Sequence, residues 1–214
     1  PTLRHSSAAS DVYKRQTAAT PEIMRRLRKD CGGLLFLAIG NEVGEKFGLP
    51  WLQDIHSEAS LVSNNPVLGH LITDDLQYDS KSAFTLSLNH RKTYTGITDR
   101  DRALTTRRFG ELAGEMADST RSEAMEALGN EFRTPGHIPL CRESPGGLRN
   151  RQGHTELAVS IARLSGNVPC TIGAEMLDPN GDGALSLEEA MIYAENHGIP
   201  MITGKDILDS INLD

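Results

Sequence analysis

Six consecutive apolar residues, Leu34-Leu35-Phe36-Leu37-Ala38-Ile39, follow directly on Gly32-Gly33, and no other run limits the fold of this chain as tightly. A short, continuous apolar run bounded by turn residues reads as a buried strand. Just upstream, Thr20-Pro21 starts a helix, because threonine is a good N-cap and proline suits the first helical position. Ile23, Met24 and Leu27 give that helix one apolar face, and Gly32-Gly33 ends it. Downstream, Phe84, Leu86 and Leu88 alternate with Thr85 and Ser87, the period of a half-buried strand. Apolar residues at 104, 109, 112, 113 and 116 make Ala103 to Met116 an amphipathic helix. Leu157, Ala158, Ile161, Ala162 and Leu164 form the face of a helix that follows His154. Val168 to Leu177 reads as a strand, Leu187 to His197 as a helix closed by Gly198, and Met201 to Thr203 as a last short strand. Pro135-Gly136-His137 and Pro145-Gly146-Gly147 read as turns, and the polar stretch from His56 to Asp79 as a long loop. Strands and helices alternate without repeats, which gives one α/β-type domain with helices covering a sheet.

Bulk properties narrow the partners. The net charge of -7 argues against a nucleic-acid or anionic-membrane binder, since both need a broad cationic surface. Cys31, Cys141 and Cys170 are odd in number and lack CxxC spacing, as expected of reduced, buried thiols in a cytoplasmic protein. No run approaches the roughly 18 apolar residues of a membrane span, and no signal peptide is visible.

The run Asn150-Arg151-Gln152-Gly153-His154-Thr155-Glu156 precedes an apolar-periodic segment. A helix N-terminus carries unpaired N–H groups and the positive end of the dipole, so it attracts anions. Arg151 for a phosphate and His154 for a metal would make a compact site for a phosphorylated, metal-chelating substrate. The plainer reading is an ordinary cap, with Thr155 as N-cap and Arg151 and His154 solvated. Glu175 stands among Gly173, Ala174, Met176 and Leu177, as an exposed strand-face residue or a partly buried acid–base group. His137 follows a Pro-Gly pair. Singly, such residues are more often structural; together with Arg151 they suggest proton abstraction beside a metal-bound carbonyl.

A calcium-binding alternative comes from Asp178, Asn180, Asp182, Gly183, Ser186 and Glu189, at positions 1, 3, 5, 6, 9 and 12 of an EF-hand loop. The same residues also read as a turn and a capping box, with Ser186 as N-cap and Glu189 reaching back. The residues before Asp178 are those of a strand, whereas an EF-hand needs an entering helix, and no second loop exists.

Several runs carry a resemblance: Arg28 to Leu34, Asn89 to Asp99, Phe132 to Gly136, Asn150 to Glu156, and Glu175-Met176. In them the chain resembles the 3,4-dihydroxy-2-butanone 4-phosphate synthases of riboflavin biosynthesis, in their archaeal-type form. The resemblance implies an α+β fold, a single three-layer domain with a mixed β-sheet covered by helices, and a homodimer. It implies a lyase converting D-ribulose 5-phosphate to formate and the four-carbon butanone phosphate with Mg²⁺ or Mn²⁺. On it, His154 is a metal ligand, Glu175 and His137 are catalytic, and Arg151, Gly153, Thr155, Thr95 and Asp99 contact substrate. Phe36 stands where many relatives carry cysteine. Family members begin with a strand and an acidic loop that supplies a further metal ligand, and residues 1 to 19 do not match it. Residues 1–16 are therefore expected to be a non-native, unstructured leader, and 17–214 a synthase-like domain without that strand and loop. Activity and metal binding are then expected to be impaired.

Overall fold

The computed structural model describes residues 10–13, 19–62, 65–72, 76 and 81–211, with 10–13 and 62 described in their backbone alone. Strands β1 (Ser10–Tyr13), β2 (Gly32–Ile39), β3 (Phe84–His90), β4 (Phe132–Arg142) and β5 (Cys170–Met176) form one sheet in the order β1-β5-β2-β4-β3. β2 and β4 run parallel, and every other pair is antiparallel, so the sheet is mixed.

The central position of β2 explains its composition. Leu35, Leu37 and Ile39 face one way, into a core with Met24 of α1 (Pro21–Arg26) and Phe109 and Leu112 of α5 (Asp99–Glu115). Phe36 and Ala38 face the other way, against Ala158 and Val159 of α7 (His154–Leu164). A strand covered on both faces needs apolar residues at every position, because each fully buried large side chain is worth roughly 1.5–3 kcal/mol. Helices thus lie on both sides of the sheet, the expected three-layer α+β arrangement.

Local chemistry sets the ends of the elements. Thr20 caps α1, its hydroxyl accepting from Ile23 N, with Pro21 in the first turn. A π-helical turn, Leu27–Cys31, follows and ends on Gly32 at φ 77°. Thr98 caps α5, which therefore starts before the apolar period begins. Helix α6 (Arg121–Glu131), with a capping box of Thr120 and Glu123, and the short α2 (Asn41–Lys46) had no counterpart in the sequence reading. α8 spans Leu187–Asn196.

Several expectations are corrected. The stretch read as a loop from His56 to Asp79 takes in the greater part of α3 (Leu52–Val62) and all of α4 (Val67–Leu71), and residues 63–64, 73–75 and 77–80 lie outside the described residues. Pro135-Gly136-His137 is no turn between elements but lies inside β4, where the register jumps from Leu88↔Ile138 to Asn89↔Arg133. Met201 to Thr203 is not a strand; Thr203 instead caps α9 (Gly204–Ser210). Three residues are too few for period to separate strand from cap. The leader expected to be unstructured is corrected for Ser10–Tyr13, whose backbone pairs antiparallel with β5 from Ser10↔Glu175 to Tyr13↔Ile172. Residues 1–9 and 14–16 of the expected leader, and 17–18 at the start of the expected domain, lie outside the described residues.

Candidate active site

β5 carries Glu175 on the face it shares with Gly173 and Thr171, which pair with Phe36 and Ala38 of β2. Ala38 in turn pairs with Cys141 of β4. Because side chains alternate along strands, Glu175, Phe36, Ala38 and Cys141 stand on the face that α7 covers. Gly33 permits this: a Cβ there would fall 2.5 Å from the Glu175 carbonyl oxygen and 2.7 Å from its Cβ. The double glycine read as a helix stop therefore also lets β2 approach the Glu175 backbone. Glu175 itself is half-buried.

The N-terminus of α7 meets the same face. Its N-cap is Gly153, with no capping side chain, and Thr155 is not the cap but a buried first-turn residue hydrogen-bonded with the Cys141 thiol. Glu156, with a fully buried side chain, accepts Ser144 N–H at 3.0 Å and the Nη1–H of Arg151. Arg151 folds back so closely over Gly153 that a side chain there would overlap the guanidinium. Burial pushes the Cys141 thiol up to about 12; Arg151 opposes this, while Glu175 and Glu156 add to it. Arg151, Thr155, Glu156 and Glu175 are thus all within electrostatic or hydrogen-bonding reach of one sulfur atom. His154, half-buried, opens the same turn of α7.

A second cluster gathers around Asn89 at the end of β3. Asn89 Oδ1 accepts His137 N–H at 2.8 Å, and Nδ2 lies 3.1 Å from His137 Nδ1 and 3.5 Å from the Thr95 carbonyl. Asp101 closes the Thr95 loop onto α5: its Oδ2 accepts Gly96 N–H at 2.8 Å and the Thr95 hydroxyl at 3.4 Å. Burial works to raise the Asp101 carboxyl, but the hydrogen bonds from Gly96, Thr98, Thr95 and Tyr94 together hold it below the usual range. Thr95 is exposed, in a shallow depression with Tyr94, Thr98, Arg100 and Asp101. Asp99, expected at the substrate, has its carboxylate taken up by Arg28 at 3.0 and 3.1 Å and Arg102 at 2.9 Å. These partners hold its carboxyl below the ordinary value, Arg28 chief among them.

Sequence reasoning assigned no part to Asn89, Asp101, Cys141 or Glu156. Asn89 and Glu156 lie inside the runs that carry the resemblance, but their partners are set by strand register and helix entry rather than by a motif. The EF-hand reading is not supported. Strand β5 stands where the entering helix would be, Asp178 Oδ1 accepts Asn180 N–H at 2.8 Å, and Ser186 and Glu189 form a capping box. Among the described residues, no group of three His, Cys, Asp or Glu side chains is placed to hold a metal ion.

Comparison with known proteins agrees with this arrangement. Residues 7–210 match the family 3,4-dihydroxy-2-butanone 4-phosphate synthase. The synthase of Methanothermobacter thermautotrophicus is 42% identical over 190 residues, 89% of this chain and 79% of that protein. The synthase of Methanosarcina acetivorans is 40% identical over 206 residues, 95% of this chain and 81% of that protein. Among solved structures, a 3,4-dihydroxy-2-butanone 4-phosphate synthase in complex with two magnesium ions superposes with a TM-score of 0.71 at 23% identity. That match covers 98% of this chain and 87% of the other. The chain belongs to the 3,4-dihydroxy-2-butanone 4-phosphate synthase family, the lyases of riboflavin biosynthesis.

Proposed function

We propose that this chain binds D-ribulose 5-phosphate and converts it to 3,4-dihydroxy-2-butanone 4-phosphate and formate, on the sheet face covered by the first turn of α7. One observation carries the reading: the charges of Arg151 and Glu175 and the hydroxyl of Thr155, from the entry to α7, its first turn and β5, all act on the Cys141 thiol. A cation and a helix N-terminus suit the phosphate, and a half-buried strand carboxylate beside them suits proton removal next to a carbonyl. Arg151, Gly153 and Thr155 hold the phosphate end of the sugar. Glu175 takes the proton, and His137 serves as the second proton-handling group. Thr95 contacts the substrate from the exposed loop, and Asp99 fixes the base of that loop through Arg28 and Arg102.

A divalent cation, Mg²⁺ or Mn²⁺, belongs to this reading with His154 as its assigned ligand. Bound next to the carbonyl, such an ion supplies Lewis-acid polarisation. The described residues alone do not fit a complete cage for it, so no proton step is assigned to it here. The expectation of impaired activity rests on residues 1–19, and those at 1–9 and 14–18 lie outside the described residues. The reading also takes the protein as a cytoplasmic homodimer that binds neither nucleic acid nor membrane; no helix among the described residues is long and apolar enough to cross one.

Incubating the chain with D-ribulose 5-phosphate and Mg²⁺, and assaying both formate and the butanone phosphate, tests the reading. Equimolar release of the two products is expected. Consumption of the sugar phosphate without formate would overturn it.

A further inference from the structure

The buried amide of Asn89, 4% exposed, stands between His137 and the Thr95 loop, and its orientation is determined by what its neighbours are able to donate or accept. The His137 backbone N–H, 2.8 Å away, can only donate, so the amide oxygen must face it. The Thr95 carbonyl, 3.5 Å from the other end, can only accept, so the NH₂ group must face that side. Two independent partners therefore orient the amide the same way. The NH₂ group then lies 3.1 Å from Nδ1 of the His137 ring, and it can only donate. The opposite pairing, a proton on Nδ1 directed at Oδ1, is longer at 3.4 Å and would share an oxygen already engaged by the backbone.

We infer that Asn89 is a positioning residue that fixes the His137 imidazole as its Nε2–H tautomer, with Nδ1 accepting from the amide. In a neutral imidazole one nitrogen donates and the other accepts, and the hydrogen bond at one sets the role of the other. His137 thus presents a donor, not a lone pair, on the ring edge turned away from Asn89.

The surroundings keep this geometry in place. The register jump in β4 sets the His137 backbone over Asn89. Gly96, at φ 93°, lets the loop close on the amide, where any side chain would overlap it. Asp101 holds that glycine by its N–H at 2.8 Å. The functional consequence rests on the proposed lyase reading: Glu175 is then the base, and His137 donates to a substrate oxygen.

The test reads the tautomer directly. Long-range ¹H–¹⁵N correlation spectra of the ¹⁵N-labelled full chain are recorded at pH about 8.5, above the ordinary imidazole range. His137 should show a pure Nε2–H pattern, whereas exposed His70 should show the averaged pattern of an unconstrained ring. In Asn89→Asp the carboxylate keeps an acceptor for the His137 N–H but can only accept from the ring, so the pattern should switch to Nδ1–H. Should that variant not fold, Asn89→Ala should relax His137 toward the His70 pattern. An averaged His137 signal in the unmodified chain, or one unmoved by these substitutions, would overturn the inference.

Activity adds a second readout. Asn89→Asp should lower kcat/KM for formate release at least about tenfold, and should cost nothing further in a His137→Ala background. Equal losses in both backgrounds would refute action through His137. If the unmodified chain releases no formate, the lyase reading fails, while the spectra still decide the tautomer.

Discussion

Arg151, in the loop that enters α7, donates from Nη1 to the carboxylate of Glu156 in the first turn of that helix, a side chain with no solvent exposure. Glu156 also accepts Ser144 N–H at 3.0 Å, so it ties the Pro-Gly-Gly turn to the residue assigned to the phosphate. The guanidinium is thereby held in one place before any ligand arrives, and preorganisation of this kind lowers the ordering cost of binding.

Removing one partner of this pair should cost more than removing both. Arg151→Met leaves a buried carboxylate with one backbone donor, which should destabilise the fold by about 3 kcal/mol. Adding Glu156→Gln should recover about 1 kcal/mol or more of that loss, as measured by urea unfolding. Strict additivity of the two changes would show that the pair does not interact in the folded chain.

Asp99 should govern part of the acid stability. Its folded carboxyl lies below the ordinary value, chiefly through Arg28, so the unfolded chain binds a proton more readily than the folded one. The resulting stability is fully present above the unfolded aspartate value of about 3.9 and is lost as pH falls through the folded value. Asp99→Asn should therefore flatten the unfolding free energy between about pH 5 and pH 2 relative to the unmodified chain. Identical slopes would remove Asp99 from the acid response.

Two glycines should respond in opposite directions. At Gly33 a methyl group would press on the Glu175 backbone at 2.5 Å, so Gly33→Ala should move β2 or β5 and lower formate release as well as stability. At Gly129, exposed in α6 and with nothing within 4 Å of a Cβ, Gly129→Ala should stabilise by about 0.5–1 kcal/mol. Thermal unfolding beside the formate assay checks both, and a harmless Gly33→Ala would show that the close approach does not matter.

The thiols should be inert in the native state. Cys31, Cys141 and Cys170 are free and buried, and burial raises both Cys141 and Cys170. A thiol reagent at pH 8 should label none of them promptly and all three once urea unfolds the chain. Rapid native labelling of Cys141 would mean that the sheet face under α7 is open to water.

Much of the fold could be read from pattern. The run from Leu34 to Ile39 marked the central strand, because burial on both faces leaves no room for alternation, and Thr20-Pro21 marked the first helix through its cap. The segment Leu52–Val62 was missed because its polar residues masked a helical spacing of Leu52, Ile55 and Ala59. The site was legible in part. Arg151, His154 and Thr155 announced themselves as neighbours at a helix start, whereas Asn89 and His137 are 48 residues apart and meet only through the β3–β4 register. The side of the sheet on which Glu175 stands was equally invisible, since strand parity means nothing until the partner residue is known.

If Glu175 moves the proton in a reaction on ribulose 5-phosphate, formate release should differ sharply between the unmodified chain and Glu175→Gln at saturating Mg²⁺. The unmodified chain should release formate above the enzyme-free background, and the variant should lose about a hundredfold or more of that rate with its thermal unfolding unchanged. An undiminished rate in Glu175→Gln would contradict that role.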